Sequence, residues 1–152
     1  MENLKIGSKA PDFESFDDNG NKVRLSDFLG KYIVLYFYPK DNTPGCTKEA
    51  CNFRDSIEDI YKLGATVIGI SVDSVNSHKN FKQKYNLNFP LISDSTREIS
   101  SKYGVLNLTG TSKRTTFLIS PDGEILYIWD SVKVDDHHHE VIQKLQEILN
   151  SK

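Results

Sequence analysis

The stretch "YIVLYFYPKDNTPGCTKEAC" (Tyr32–Cys51) changes character halfway along. Its first part is a continuous run of apolar, aromatic and β-branched residues, the pattern of a strand buried on both faces. Thr43 is a good N-cap, and Pro44 fits the first helical position, where a missing N–H costs nothing. From Thr47 the period becomes helical: Ala50, Phe53, Ile57, Ile60 and Tyr61 recur at three and four residues until Gly64 stops them.

Working outward, "TVIGISV" predicts a second buried strand and "SHKNFKQKYN" a helical segment. "FPLIS" predicts a short strand, and "TREISSKYG" a brief helix ended by glycine. "TTFLIS" and "EILYIWD" flank "PDG", which predicts an antiparallel hairpin with a tight turn. Val141, Ile142, Leu145, Ile148 and Leu149 share one face of a terminal helix. Upstream, "DDNGNKVRL" reads as an Asn-Gly turn entering a short strand. The order β-α-β-α-β-α-β-β-α predicts an α/β fold whose mixed central sheet is flanked by helices. That is the thioredoxin-like architecture with an N-terminal strand extension. The chain has no repeat or linker-like run, so its 152 residues are expected to form a single domain over 1–152.

Formal net charge is -2, which makes no electrostatic case for nucleic acid or an anionic membrane as a partner. No apolar run approaches the roughly 20 residues of a membrane-spanning helix. The start, "MENLKIGSKAPDF", lacks the pattern of a secretory signal, and two cysteines are too few for a disulfide framework. A reducing, cytoplasmic location is expected. "NLT" at Asn107–Thr109 then carries no glycosylation meaning.

Both cysteines lie in the opening stretch, five residues apart. Cys46 would occupy the third helical position, among the orphan N–H groups and the positive end of the helix dipole, which favours a thiolate. Pro44 and Gly45 before it leave the sulfur approachable. The plain alternative is a small core residue. On an ideal helix, positions i and i+5 have Cα atoms roughly 8.7 Å apart and side chains pointing about 140° apart, whereas a disulfide needs Cα atoms within about 7 Å. Cys46 and Cys51 therefore either never pair, or pair only when the first turns unwind. Two thiolates supply at most half a tetrahedral metal site. His137, His138 and His139 are consecutive and do not chelate from one helix face. His138 is expected to border the apolar face with its two neighbours in solvent, and His78 to be exposed. No metal or other cofactor is expected.

"PKDNTPGC" fits P-x-x-x-T-x-x-C, with Pro39, Thr43 and Cys46 in place. It resembles the peroxidatic motif of the peroxiredoxins. "YPKDNTPGCTKEAC" is similar to the bacterioferritin-comigratory, or peroxiredoxin Q, subfamily, and "KRTTFLISPDGEI" resembles a later segment in which an arginine, here Arg114, precedes the hairpin. The likeness runs from "GSKAPDF" and "VRLSDFLGK" to "VDDHHHEVIQKL", although Gly104–Arg114 is shorter than in many members, which bears on the pocket wall. The resemblance implies a thiol peroxidase acting on hydrogen peroxide and organic hydroperoxides. Cys46 would be the peroxidatic cysteine and Cys51 the resolving one, joined in an intramolecular disulfide and recycled by thioredoxin or a similar dithiol. It further implies that Glu49 helps orient Arg114, that Thr43 contacts peroxide and that Pro39 shields the sulfur. Tyr38 matches an aromatic beside the proline and is expected to pack. A monomer is expected, since the disulfide would be intrachain. A thioredoxin-like disulfide reductase would want C-x-x-C instead, and a redox-sensing module would form the disulfide without turnover.

Overall fold

In the computed structural model, which describes residues 4–151, one mixed sheet organises the chain. The elements run β1 (Glu14–Asp17), β2 (Lys22–Arg24), a 3₁₀ turn (Leu25–Phe28), β3 (Tyr32–Phe37), α1 (Pro44–Lys62), β4 (Ala65–Ser71) and α2 (Val75–Tyr85). They continue with β5 (Leu91–Ser93), α3 (Glu98–Lys102), β6 (Thr115–Ile119), β7 (Ile125–Trp129) and α4 (His137–Asn150). The strands lie in the order β2-β1-β5-β4-β3-β6-β7. β3, β4 and β5 are parallel, whereas β6, β7, β1 and β2 join by antiparallel pairing. The expected element order is observed, and so is the hairpin, whose turn closes with Gly123 N–H donating to Ser120 O at 3.0 Å. Gly123 has φ +96°, the left-handed conformation that such a turn assigns to glycine. The 3₁₀ turn was not expected; Asp27 Oδ2 accepts the Arg24 N–H at 2.9 Å and starts it.

β3 explains the core. All six of its residues are buried, and they alternate between the two faces of the sheet. Val34 and Tyr36, with Tyr38 beyond the strand, pack with Ala50, Phe53, Ile57 and Ile60 of α1 and with Val141 and Leu145 of α4. Ile33, Leu35 and Phe37 pack on the other face with Ile99, Tyr103 and Phe117. Each such large apolar side chain contributes roughly 1.5–3 kcal/mol by leaving water, so this central strand is held from both sides. Tyr61, expected on the buried face of α1, is instead 48 % exposed, because the buried stripe of the helix runs through Ile57 and Ile60 and leaves Tyr61 at its edge. Ile142, Ile148 and Leu149 of α4 are only partly buried.

Two histidines depart from expectation. His78 is fully buried rather than exposed, and His137 is buried while His138 is half-buried and His139 exposed. In each case polar partners arrive from distant segments, which makes burial of an imidazole tolerable.

Candidate active site

Cys46 sits just beyond the C-terminal end of β3, in the first turn of α1, where α/β sheets commonly place their ligands. Thr43 has the extended backbone of an N-cap (φ -85°, ψ 152°) and Pro44 the first helical position, as the sequence predicts. The expected side-chain cap is absent. The Thr43 hydroxyl instead donates to Lys40 O at 2.9 Å, closing the loop behind it. Asn42, with φ 62°, turns the chain there.

Arg114 is brought in by sheet register. β6 pairs antiparallel with β3, Thr115 opposite Phe37 and Thr116 opposite Tyr36, so the residue before β6 arrives at the C-terminal end of β3. Alternation puts Arg114 on the same face as Thr116 and Leu118, the face that carries α1. Its Nη2–H donates to Cys46 Sγ at 3.3 Å and its Nη1–H to Glu49 Oε1 at 2.7 Å. A Cβ on Gly45 would lie 3.3 Å from Nη2, so the glycine leaves room for the guanidinium. Burial opposes the charge on Arg114, but the facing Glu49 and Cys46 together hold its pKa above the usual arginine value. The sulfur is less open than the Pro-Gly sequence suggested: Cys46 is 1 % exposed and belongs to the core between α1 and the sheet. The helix start packs down on β3, and the guanidinium covers it.

Glu49, one turn after Cys46, is 1 % exposed rather than solvated. Only one of its carboxylate oxygens is satisfied; Oε2 has no hydrogen-bond partner among the described residues. Burial therefore outweighs the attraction of Arg114 and raises the Glu49 pKa to about 7. A carboxyl group whose pKa is higher in the folded state stabilises the fold most below its unfolded value. That contribution is lost as pH rises toward about 7. The size is on the order of 3 kcal/mol at 1.36 kcal/mol per unit. Wild-type protein is accordingly expected to lose urea resistance between pH 5 and pH 8, and Glu49→Gln to flatten much of that slope. Equal slopes in the two proteins would contradict the assignment.

Cys51 lies further along the same unbroken helix, half-buried, and both thiols are free. One side chain between them and one just after Cys51 hold to the loop before α4. Asn52 Nδ2–H donates to Val134 O at 3.0 Å, and Lys48 forms an ion pair with Asp135. Pro39 is half-buried at the end of β3. Tyr38 is buried, its hydroxyl donating to Asp41 Oδ1 at 2.6 Å; it packs, as expected, but also anchors a carboxylate. His137 was missed by the sequence reading. Its Nε2 lies 2.8 Å from Thr116 Oγ1, its ring stands edge-on to Phe53 and Trp129, and burial pushes its pKa down. Among the described residues, the grouping of donors that could hold a metal ion is Asp41, Asp73 and His78. It includes neither cysteine and none of the consecutive histidines.

The set can therefore do thiol chemistry: a sulfur at a helix start, a fixed cation touching it, and a second thiol along the helix. Residues 6–128 match the AhpC/TSA family. The chain is 47% identical over 152 residues to peroxiredoxin Bcp of Bacillus subtilis, covering 95% of this chain and 97% of that one. Its fold superposes on PrxQ of Xylella fastidiosa with a TM-score of 0.92 at 34% identity, covering 98% and 99% of the two chains. It also superposes on the bacterioferritin comigratory protein of Xanthomonas campestris, studied for its alkyl peroxide reduction activity, at TM-score 0.84 and 35% identity over 89% and 90%. On both sequence and fold, the chain belongs to the AhpC/TSA family and, within it, to the peroxiredoxin Q and Bcp group.

Proposed function

We propose that this protein is a thiol peroxidase that reduces hydrogen peroxide and organic hydroperoxides through Cys46. The observation that carries the proposal is the Arg114 guanidinium 3.3 Å from the Cys46 sulfur at the start of α1. The thiolate attacks one peroxide oxygen, an S–O bond forms and the O–O bond breaks. Sulfur is oxidised to the sulfenic acid, and the leaving oxygen takes a proton to become water or an alcohol. Arg114 serves this step by facing sulfur and peroxide together with a permanent charge. Thr43 and the Cys46 amide are further donors for the bound peroxide, the Thr43 hydroxyl having first to leave Lys40 O. Glu49 holds the guanidinium in place, and Pro39 limits water at the sulfur.

The Cys51 thiolate then attacks the sulfenic sulfur. An S–S bond forms, the S–O bond breaks, and the hydroxyl leaves as water. At roughly 8.7 Å between Cα atoms on an intact helix the two sulfurs do not meet. The first turns of α1 must open, releasing the Arg114 contact and the Asn52 and Lys48 tethers. A dithiol such as thioredoxin reduces the disulfide by exchange. The activity works from a monomer, needs no cofactor, and suits a reducing cytoplasm.

The test uses peroxide, thioredoxin, thioredoxin reductase and NADPH. Wild-type protein is expected to oxidise NADPH continuously, while Cys51→Ser consumes about one equivalent of peroxide per chain and then stops. Full turnover by that variant would remove Cys51 from the mechanism. A wild type that forms the disulfide without turnover would make the pair a sensor instead.

A further inference from the structure

Behind the loop that feeds α1 lies a buried polar network that the thiol chemistry does not touch. Asp41, in that loop, is almost fully buried, and its carboxylate is held by three side chains. Tyr38 O–H donates to Oδ1 at 2.6 Å, Ser77 O–H donates to Oδ2 at 2.8 Å, and His78 Nδ1 lies 2.8 Å from the same Oδ2. The other ring nitrogen of His78, Nε2, lies 3.0 Å from Ile92 O.

A backbone carbonyl only accepts, so Nε2 carries a proton. Tyr38 and Ser77 already donate O–H bonds to the two Asp41 oxygens, and one proton is shared between His78 Nδ1 and Asp41 Oδ2 across their 2.8 Å contact. The Tyr38 hydroxyl oxygen lies 3.4 Å from the same Nδ1. His78 and Asp41 thus form a fully buried hydrogen-bonded pair, each satisfied on its other side as well, and such a network fixes geometry. Asp41, Asp73 and His78 place metal-type donor atoms within 4.8 Å of one another. Hydrogen bonds already account for those oxygens: Asp73 Oδ2 accepts Asp41 N–H at 2.8 Å and Ser71 O–H at 2.6 Å.

We propose that His78 is a positioning residue for Cys46, acting through Asp41 to fix the loop from Tyr38 to Thr43 that sets where α1 begins. This rests on Cys46 being the peroxide-reducing thiol. Asp41 is anchored to the residue after β3, to α2 and to the turn between β4 and α2, and none of these partners lies on α1. The anchor therefore survives when the first turns of α1 open. The loop stays put while Cys46 moves, and α1 refolds onto the same start after the disulfide is reduced.

Two substitutions separate the nitrogens. Asparagine at 78 places an amide N–H where Nδ1 was, and glutamine places one where Nε2 was. In single-turnover oxidation by hydrogen peroxide, His78→Gln is expected to slow the first step at least about tenfold, as sub-ångström misplacement of a reacting group does. His78→Asn, which keeps the bond to Asp41, should stay within about threefold of wild type. A His78→Gln protein as fast as wild type overturns the proposal. So does equal slowing of both variants with equal loss of unfolding midpoint. A wild-type Cys46 inert to peroxide would overturn the proposed function with it, whereas a reactive wild type with an equally reactive His78→Gln variant overturns this inference alone.

Discussion

Cys46→Ser is expected to abolish peroxide consumption altogether, including the first equivalent that Cys51→Ser retains. A hydroxyl at that position has almost no anionic form at neutral pH, and the Arg54 guanidinium near the half-buried Cys51 gives its hydrogen bonds to Asp55 and Tyr85 O. The size of the loss shows what the surroundings supply. A free thiol with a pKa of about 8.5 is roughly 3% thiolate at pH 7, so complete ionisation gains only about thirtyfold, or roughly 2 kcal/mol. The remaining acceleration comes from polarising the O–O bond while charge builds on the leaving oxygen. The serine variant should fold normally, since the site buries one small polar atom in either case. Residual peroxide consumption above a Cys46→Ser, Cys51→Ser double variant would mean that another group does the chemistry.

Arg114→Met comes next in size. A donor placed at a developing charge is worth about 10²–10³ in rate, roughly 3 kcal/mol, and kcat/KM for peroxide is expected to fall by that factor. Arg114→Lys should recover only a small part of it, because one ammonium cannot reach Cys46 Sγ and Glu49 Oε1 as the two guanidinium nitrogens do. The variant also leaves Glu49 buried without its cation. That group already has a pKa of about 7, so protonation limits the damage to the fold. Urea unfolding at pH 6 separates the two effects: stability should change modestly while the rate of peroxide-driven Cys46 oxidation falls steeply. If Arg114→Met oxidised within a few-fold of wild type, the guanidinium would be a packing feature and the main support for the proposed function would be gone.

Local signals account for most of what was legible. The aromatic and β-branched run at Tyr32–Tyr38, Pro44 after Thr43, the three-and-four spacing from Ala50 to Ile60 and the "PDG" turn each depend on residues within a few positions. Backbone stereochemistry and burial of one face act at that range. They placed Cys46 in the third position of α1, and the structure has it there. The side chains were less predictable. Thr43 occupies the cap position without a side-chain cap bond, its hydroxyl turned back to Lys40 O. Glu49, His78 and His137 carry polar letters that suit solvent, yet all three are buried.

By itself, then, the order of residues determined the strand, the helix start and the spacing of the two thiols. Only tertiary structure decided what stands around them. Arg114 reaches Cys46 across 68 residues because β6 pairs antiparallel with β3 in one register, and Asp41 finds its buried partners on α2 because β4 and β5 bring that helix alongside. Periodicity is a property of neighbours, whereas a polar group can be buried only when a partner from elsewhere satisfies it. That partner is visible only once the chain has closed on itself.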